Sequence, residues 1–170
     1  MKYLYLSENM ILEIEKEAFD GQTSLEVLDL SSNVLKTIPE TIFHLPSLTR
    51  LYLSQNEHTN VVEEIEKNNE ITSPLVYFDI SYNNLLTLPN LGVLRTLVKY
   101  NISGNDGIKL KIQDFAGICN LNILVNDKLT ATFDDECDCV NTERWFKERS
   151  VIFTSFKCTA KGKKIYIHFD

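Results

Sequence analysis

The side chains of this sequence that could perform chemistry include four cysteines and three histidines. Cys137, Cys139 and Cys158, together with His168, contain the donor types of a zinc site. However, the C-x-C pair departs from the C-x₂₋₄-C spacing of most zinc sites, so these residues are poor candidates for a metal centre. We therefore predict that the chain binds no metal and no cofactor.

Catalytic constellations are not indicated either. His44, His58 and His168 are far apart in the sequence, and no serine elbow, glycine-rich phosphate loop or pair of carboxylates with catalytic spacing accompanies them. The sequence therefore predicts a binding protein and not an enzyme.

Length, composition and charge exclude further classes of protein. With 170 residues, 44% of them hydrophobic and 24% charged, the chain is long enough for one ordinary globular domain. A net charge of −7 argues against a nucleic-acid partner, because such proteins need a basic face to displace counterions. No run approaches the roughly 20 apolar residues that span a bilayer, and the apolar stretch after Met1 is too short for a signal peptide.

A repeat organises most of the chain. Segments that follow L-x-x-L-x-L-x-x-N-x-L begin at Met1, Leu25, Leu48, Leu75, Leu97 and Ile118. The central L-x-L alternates with period two, which predicts one short strand per repeat and a parallel sheet formed by stacking the repeats. A buried asparagine at one fixed position of each repeat can bond the backbone where the chain turns out of the strand. These asparagines are Asn9, Asn33, Asn56, Asn83, Asn105 and Asn126.

The segments that return between strands share a second pattern. Pro39, Phe43 and Leu48 read P-x-x-x-F-x-x-x-x-L, and proline early in the segment favours a wall with little regular helix. The third repeat departs from the pattern, since His58 stands at an apolar position. Its insertion, residues 60–70, places Val61, Val62 and Ile65 at helical spacing, which predicts either a short structural helix or a bulge that contacts a partner.

Together these patterns resemble the leucine-rich repeat family, in the subtype common among secreted and cell-surface proteins. The resemblance implies an α/β solenoid with a curved parallel sheet and an irregular convex side, formed by six repeats in residues 1–128. Residues 129–170, with Cys137-Asp138-Cys139, Trp145 and Cys158, resemble the cysteine-rich C-terminal cap of extracellular members. We expect a cap helix over residues 140–150, beginning near Asn141 or Thr142, that plugs the last repeat with Trp145 and Phe146.

The cap resemblance also implies a disulfide between Cys137 and Cys158. Cys139 then has three alternatives: Cys119, a cysteine beyond Asp170, or another chain or no partner at all. Disulfides of this kind favour an extracellular location, either secreted or on the outer face of a membrane receptor. The sequon Asn101-Ile102-Ser103 is a candidate glycosylation site.

The outward positions of the strands predict a binding surface on the concave face, rich in tyrosine and charge. Tyrosine and arginine are enriched at protein-binding hot spots, which favours a protein ligand or co-receptor. The family resemblance indicates an innate-immune role, as part of a Toll-type receptor ectodomain or a secreted insect immune factor; the alternative is an adhesion, matrix or neuronal binding protein. The predicted contact residues are Tyr5, Asp29, Arg50, Tyr52, Tyr77, Asp79, Tyr82 and Lys99.

The first repeat begins in strand register at Met1, so it would leave an open sheet end. An open end is a pairing liability. We therefore expect this chain to be the C-terminal part of a longer ectodomain, or its open end to meet another chain.

Overall fold

The computed structural model describes residues 1–61, 71–133, 136–153, 156–160 and 163–167. Its strands are short, as the repeat pattern requires. They are β1 (Tyr3–Tyr5), β2 (Val27–Asp29), β3 (Arg50–Tyr52), β4 (Tyr77–Asp79), β5 (Lys99–Asn101), β6 (Ile123–Val125), β7 (Thr130–Phe133), β8 (Ile152–Phe153), β9 (Phe156–Ala160) and β10 (Lys163–Ile167).

Two sheets organise these strands. The first is parallel throughout and runs β1-β2-β3-β4-β5-β6-β8, so each repeat adds its strand to the one before it. The second sheet has the order β10-β9-β7, with β9 antiparallel to β10 and parallel to β7. The predicted solenoid with a parallel sheet is confirmed. The proposed boundary between the repeats and the cap, at residues 128 and 129, stays a prediction.

The alternation of the L-x-L motif places one row of side chains in the core. The middle residue of each strand from β2 to β6 is fully buried, because the next repeat covers it on each side. These residues are Leu28, Leu51, Phe78, Tyr100 and Leu124.

The described parts of the return segments carry little regular helix, as the proline pattern predicted. A 3₁₀ helix covers Glu40–His44 after Pro39, and a four-residue helix α1 covers Gln113–Ala116. Phe43 and Phe115 from these turns are buried against the core side of the sheet. In the inserted third repeat Val61 is buried, while residues 62–70, with the predicted helix, lie outside the described part.

The asparagine positions form a hydrogen-bonded ladder through the first five repeats. Asn83 is typical: its Nδ2 donates to the carbonyls of Leu53, Ile80 and Ser81, and its Oδ1 accepts from the backbone N–H of His58. Asn33, Asn56 and Asn105 bond the chain in the same way. Each of these side chains thereby ties its own turn to the preceding repeat.

The sixth repeat corrects one assignment. Leu124 pairs with Tyr100, so the repeat begins at Leu121 and not at Ile118. In this register Leu129 takes the ladder position, and Asn126 takes the buried position that Ile102 holds in the fifth repeat. The prediction that Asn126 belongs to the ladder is therefore wrong, because strand pairing places it three residues away from that position.

One backbone feature accompanies the ladder. In each repeat the fourth residue after the middle residue of the strand adopts a positive φ. These residues are Glu8, Ser32, Gln55, Tyr82, Gly104 and Lys128. Among these six positions Gly104 requires glycine, because a Cβ there would lie 2.5 Å from the ring of Tyr82. Tyr82 therefore packs its ring over the backbone of the next repeat.

His58 is a polar residue in an apolar position, and it should make the fold sensitive to acid. Its ring is fully buried, Nδ1 lies 3.0 Å from the Lys36 carbonyl, and Nε2 has no hydrogen-bond partner among the described residues. Burial lowers its pKa below the ordinary 6.5, while the hydrogen bond to Lys36 opposes that shift. Below about pH 6.5 the unfolded chain therefore binds a proton that the folded chain does not, and the fold loses stability as the pH falls.

We expect His58→Leu to raise the free energy of unfolding by about 1–3 kcal/mol at pH 7, because it removes a buried nitrogen without a partner, while the carbonyl that loses its bond belongs to the exposed Lys36. Leu35 and Leu85 fill the equivalent position in neighbouring repeats and are buried. The gain of the variant over the wild type should widen as the pH is lowered from 7 to 5. Urea unfolding at pH 5, 6 and 7 measures this difference. A gain that stays constant across the pH range would contradict the assignment of His58 as the acid-sensitive group.

Candidate functional site

The face of the parallel sheet that points away from the core is built from two rows of side chains. The first row follows the first residue of each strand, in the order Tyr3, Val27, Arg50, Tyr77, Lys99 and Ile123. The second row follows the third residue, in the order Tyr5, Asp29, Tyr52, Asp79, Asn101 and Val125. We call these two rows the concave face.

Aromatic side chains dominate the part of the concave face nearer the N-terminus. Tyr3 and Tyr5 are exposed at 54% and 65%, which leaves their rings open to a partner. Tyr52 and Tyr77 are half-buried and pack against each other, with ring centroids 5.1 Å apart. Large apolar rings with a polar tip, held on a rigid sheet, are suited to binding a protein surface.

The two acids on this face differ in their availability. In Asp79 the Oδ1 atom accepts hydrogen bonds from Ser81 N at 3.0 Å and from Ser81 Oγ at 2.6 Å. Its Oδ2 atom accepts hydrogen bonds from Tyr77 Oη and Asn101 Nδ2, both at 3.0 Å. Asp79 is also buried, so its carboxylate is occupied by its own neighbours. Asp29 is half-buried, and within the described part of the chain only its Oδ1 accepts hydrogen bonds, from Ser31 N and Ser31 Oγ.

These environments also set the acidity of the tyrosines. Burial raises the pKa of Tyr77 well above its ordinary value, and the adjacent Asp79 raises it further, so Tyr77 stays a hydrogen-bond donor at physiological pH. Burial also raises the pKa of Tyr52; Arg50 opposes this shift, whereas Asp29 and Asp79 add to it. The phenol of Tyr52 therefore lies within the electrostatic reach of all three charged groups.

The basic residues of the concave face, Arg50 and Lys99, lie in the first row, whereas the acids lie in the second row. The Lys99 ammonium lies 5.1 Å from the ring centroid of Tyr77, a cation–π geometry. Arg50 is exposed beside Tyr52. Among the described residues, the ion pair within 4.0 Å is Lys2–Glu26, so neither Arg50 nor Lys99 is paired with Asp29. The concave face thus presents separate acidic and basic positions around a tyrosine cluster.

The structure brings most of the predicted contact residues together. Tyr5, Asp29, Arg50, Tyr52 and Tyr77 lie on adjacent strands. Tyr82 does not lie on a strand: it follows β4 in the turn, where Lys128 lies 5.9 Å from its ring. Sequence reasoning therefore missed two points, the occupation of Asp79 by Ser81 and the position of Tyr82 in the turn. The D-x-S pattern of Asp29-Leu30-Ser31 and Asp79-Ile80-Ser81 is the signal for the first.

The candidate glycosylation site lies on the same face. Asn101 Nδ2 donates to Asp79 Oδ2 and Ser81 Oγ, and its Oδ1 accepts from Ser103 N. The hydroxyl of Ser103 accepts from Asp127 N in the next repeat. Modification of Asn101 stays a prediction; a glycan attached there would replace a hydrogen bond of the folded chain.

The C-terminal segment places the predicted plug residues, Trp145 and Phe146, beside Phe115 in the return segment of the fifth repeat. Helix α2 covers Glu136–Glu148, so it begins before Cys137, and Asn141 and Thr142 lie within it. The expected start near Asn141 or Thr142 is wrong, because Thr142 Oγ1 donates to the Asp138 carbonyl four residues earlier inside the helix. Phe146 is buried, 5.0 Å from the Phe115 ring, while Trp145 is half-buried under Arg149.

The cysteines divide into two environments. Cys139 is disulfide-bonded and buried, which removes its thiolate as a zinc ligand. Cys119 is free and exposed, so the predicted pairing of Cys119 with Cys139 is wrong. The side chains of Cys137 and Cys158, and all of His168, lie outside the described part, so the Cys137–Cys158 pairing stays a prediction.

Known proteins are similar to this chain in sequence. The family description "Leucine rich repeat" matches residues 1–57. Human Toll-like receptor 5 is 31% identical over 132 residues, 74% of this chain and 14% of the receptor. Chicken Tsukushi is 32% identical over 69% of this chain and 38% of its own length, and human lumican is 31% identical over 69% and 40%. The chain therefore spans less than half the length of these relatives.

Solved structures agree with the sequence comparison. An octameric complex of latrophilin 3, Unc5D and the leucine-rich repeats of FLRT2 matches with a TM-score of 0.73 and 25% identity, over 92% of this chain and 48% of that one. The LRIM1/APL1C complex matches with a TM-score of 0.53 and 28% identity, over 79% and 22%. The class defined by the fold is thus a leucine-rich repeat solenoid. The chain is therefore similar to leucine-rich repeat proteins in sequence and in fold.

The described residues include no helix that is long and apolar enough to cross a membrane.

Proposed function

We propose that this chain recognises a protein partner through its concave face, outside the cell, as part of an innate-immune receptor ectodomain or a secreted immune factor. The observation that carries the proposal is the arrangement of Tyr5, Asp29 and Tyr52 in register on three adjacent strands. Tyrosines on a rigid sheet lose little conformational entropy on binding, and they supply large contact areas.

The cysteine chemistry supports the extracellular part of the proposal. Cys139 is disulfide-bonded, and structural disulfides form and persist in oxidising compartments. Disulfide mapping of protein from its native source should find Cys139 in a disulfide and Cys119 as a free thiol. If Cys139 were found reduced in native material, the extracellular location would be untenable.

The immune role is supported by the similarity to Toll-like receptor 5 and to the LRIM1/APL1C complex. The second candidate is an adhesion, matrix or neuronal binding protein, favoured by the similarity to lumican, Tsukushi and the FLRT2 complex. The two functions differ in the partner. A pathogen-derived ligand would support immunity, whereas a host matrix protein or adhesion receptor would support the alternative.

A display screen tests the proposed function. The tagged chain is applied to arrays of host secreted and cell-surface proteins and of microbial surface proteins, in parallel with Tyr52→Ala and with Glu17→Ala, an exposed control in a return segment. We expect a partner whose binding falls at least about tenfold with Tyr52→Ala and is unchanged with Glu17→Ala, since central tyrosines are typical hot spots. Partners that bind Tyr52→Ala as tightly as the wild type would contradict recognition through the concave face.

A further inference from the structure

The two acids of the concave face, Asp29 and Asp79, differ in how many of their carboxylate oxygens already accept hydrogen bonds. Asp79 has both oxygens occupied, by Ser81 on one side and by Tyr77 and Asn101 on the other. In Asp29 the equivalent serine, Ser31, donates to Oδ1, but Oδ2 accepts no hydrogen bond from the described residues. Asp29 is therefore the carboxylate of this face that can accept hydrogen bonds from a partner.

The neighbours of Asp29 are aromatic on both sides. In the register of the sheet, Tyr5 precedes it on β1 and Tyr52 follows it on β3. Adjacent strands lie about 4.8 Å apart, so the two tyrosine positions are separated by roughly 9–10 Å. A planar group stacked between two rings needs about 7 Å, twice the thickness of an aromatic layer, so the spacing admits one flat group above Asp29.

The serine bonds hold the Asp29 carboxylate in one orientation. Ser31 N and Ser31 Oγ donate to Oδ1 at 2.9 and 2.6 Å, so the carboxylate is positioned before any partner arrives. The ring of Tyr52 is also restrained, because it packs against Tyr77 at 5.1 Å. A pre-positioned acid beside a restrained ring reduces the entropy that a partner loses on binding.

We propose that Asp29, Tyr5 and Tyr52 form an acceptor site for an arginine side chain of the protein partner. The guanidinium group is planar and stacks on aromatic rings, and its N–H groups suit a carboxylate. A lysine ammonium has no planar surface to stack, so the site favours arginine. This inference rests on the proposed function, because it specifies the chemistry of the partner that the concave face binds.

Arg50 limits the site on one side. It is exposed, its strand position is next to Tyr52, and its charge acts on the Tyr52 phenol. A second guanidinium at Asp29 would be repelled by Arg50. The structure therefore predicts opposite effects for the two charges: removal of Asp29 weakens the binding of arginine, and removal of Arg50 strengthens it.

Nuclear magnetic resonance titration of the whole chain tests the site with defined probes. N-acetyl-arginine amide is compared with N-acetyl-citrulline amide, its neutral near-isostere, and with N-acetyl-lysine amide. We expect arginine amide to shift the amide signals around Tyr5, Asp29 and Tyr52. Citrulline amide should bind about twofold to fivefold more weakly, which is the size of one partly exposed charge interaction.

Three variants make the test specific. Asp29→Asn keeps an oxygen for Ser31 and should weaken the binding of arginine amide about twofold to fivefold, while Arg50→Ala should strengthen that binding. Asp106→Asn removes the same charge from an exposed turn outside the concave face and should change nothing. Opposite signs for the first two variants cannot arise from partial unfolding. Equal binding of citrulline amide, or equal losses for Asp29→Asn and Asp106→Asn, would overturn the proposal.

The result is separable from the proposed function. If a protein from the display screen is lost with Tyr52→Ala but retained with Asp29→Asn, concave-face recognition stands and the arginine site is rejected. If arginine amide binds at Asp29 while no protein depends on Tyr52, the site stands and the recognition proposal fails.

Discussion

Replacing Asn83 with alanine is expected to lower the free energy of unfolding by about 3–5 kcal/mol. Its side chain makes three donated hydrogen bonds, to the carbonyls of Leu53, Ile80 and Ser81, and accepts one from His58 N. Alanine would leave these backbone groups buried without partners and create a small cavity. The cost of stranding several buried groups is what makes the expected effect large.

Asn9 provides the matched control for this prediction. It occupies the same ladder position in the first repeat but is exposed, and it donates to the carbonyls of Leu6 and Ser7 alone. We expect Asn9→Ala to cost about 0.5–1.5 kcal/mol, since water can replace the lost bonds. Urea unfolding, followed by circular dichroism, measures both variants. Equal losses would show that the ladder does not act through its buried contacts to the preceding repeat.

The second large effect is expected at the C-terminal end of the solenoid. Phe146 is 1% exposed, and its ring lies 5.0 Å from Phe115, 5.2 Å from Phe153 and 5.4 Å from Trp145. Phe146→Ala would remove the ring that these three aromatics share. Truncation of a buried phenylalanine typically costs about 3–5 kcal/mol.

The loss of stability in Phe146→Ala should also be local, because each repeat of a solenoid contacts only the neighbouring repeats. We expect amide hydrogen exchange in β5 and β6 to accelerate in Phe146→Ala, while exchange in β2 and β3 changes little. Val140→Ala, an exposed substitution on the same helix, is the control and should leave exchange unchanged. Uniform acceleration across all strands would mean that the solenoid unfolds as one unit, and that Phe146 does not act as a local plug.

The sequence predicted the sheet well because the repeat is a local signal reinforced by every copy. Each L-x-L fixes one strand, and Leu28, Leu51 and Phe78 are buried as the alternation requires. The sixth repeat was misplaced because LNILVNDKL offers two frames. One frame puts Asn126 in the asparagine ladder, and the other aligns it with Ile102 of the fifth repeat. Pairing of Leu124 with Tyr100, a tertiary contact, decides for the second.

The sequence predicted which residues lie on the concave face, but not which of them form hydrogen bonds with each other. Alternation places Tyr5, Asp29 and Tyr52 on one face, and the structure agrees. What a single strand cannot show is which side chains satisfy each other across strands. Asp79 and Asn101 are 22 residues apart, and their hydrogen bond at 3.0 Å is what removes Asp79 from the available acids. The start of α2 was missed because Thr142, a good capping residue type, lies inside the helix instead.

Photo-crosslinking from the concave face tests the central claim most directly. The photoreactive residue p-benzoylphenylalanine is placed at Tyr52 in one protein and, for comparison, at Leu86, which is exposed outside the strands. Both proteins are irradiated with the partner from the display screen. Recognition through the concave face predicts a covalent adduct from position 52 and none from position 86. An adduct from position 86 with none from position 52 would contradict it.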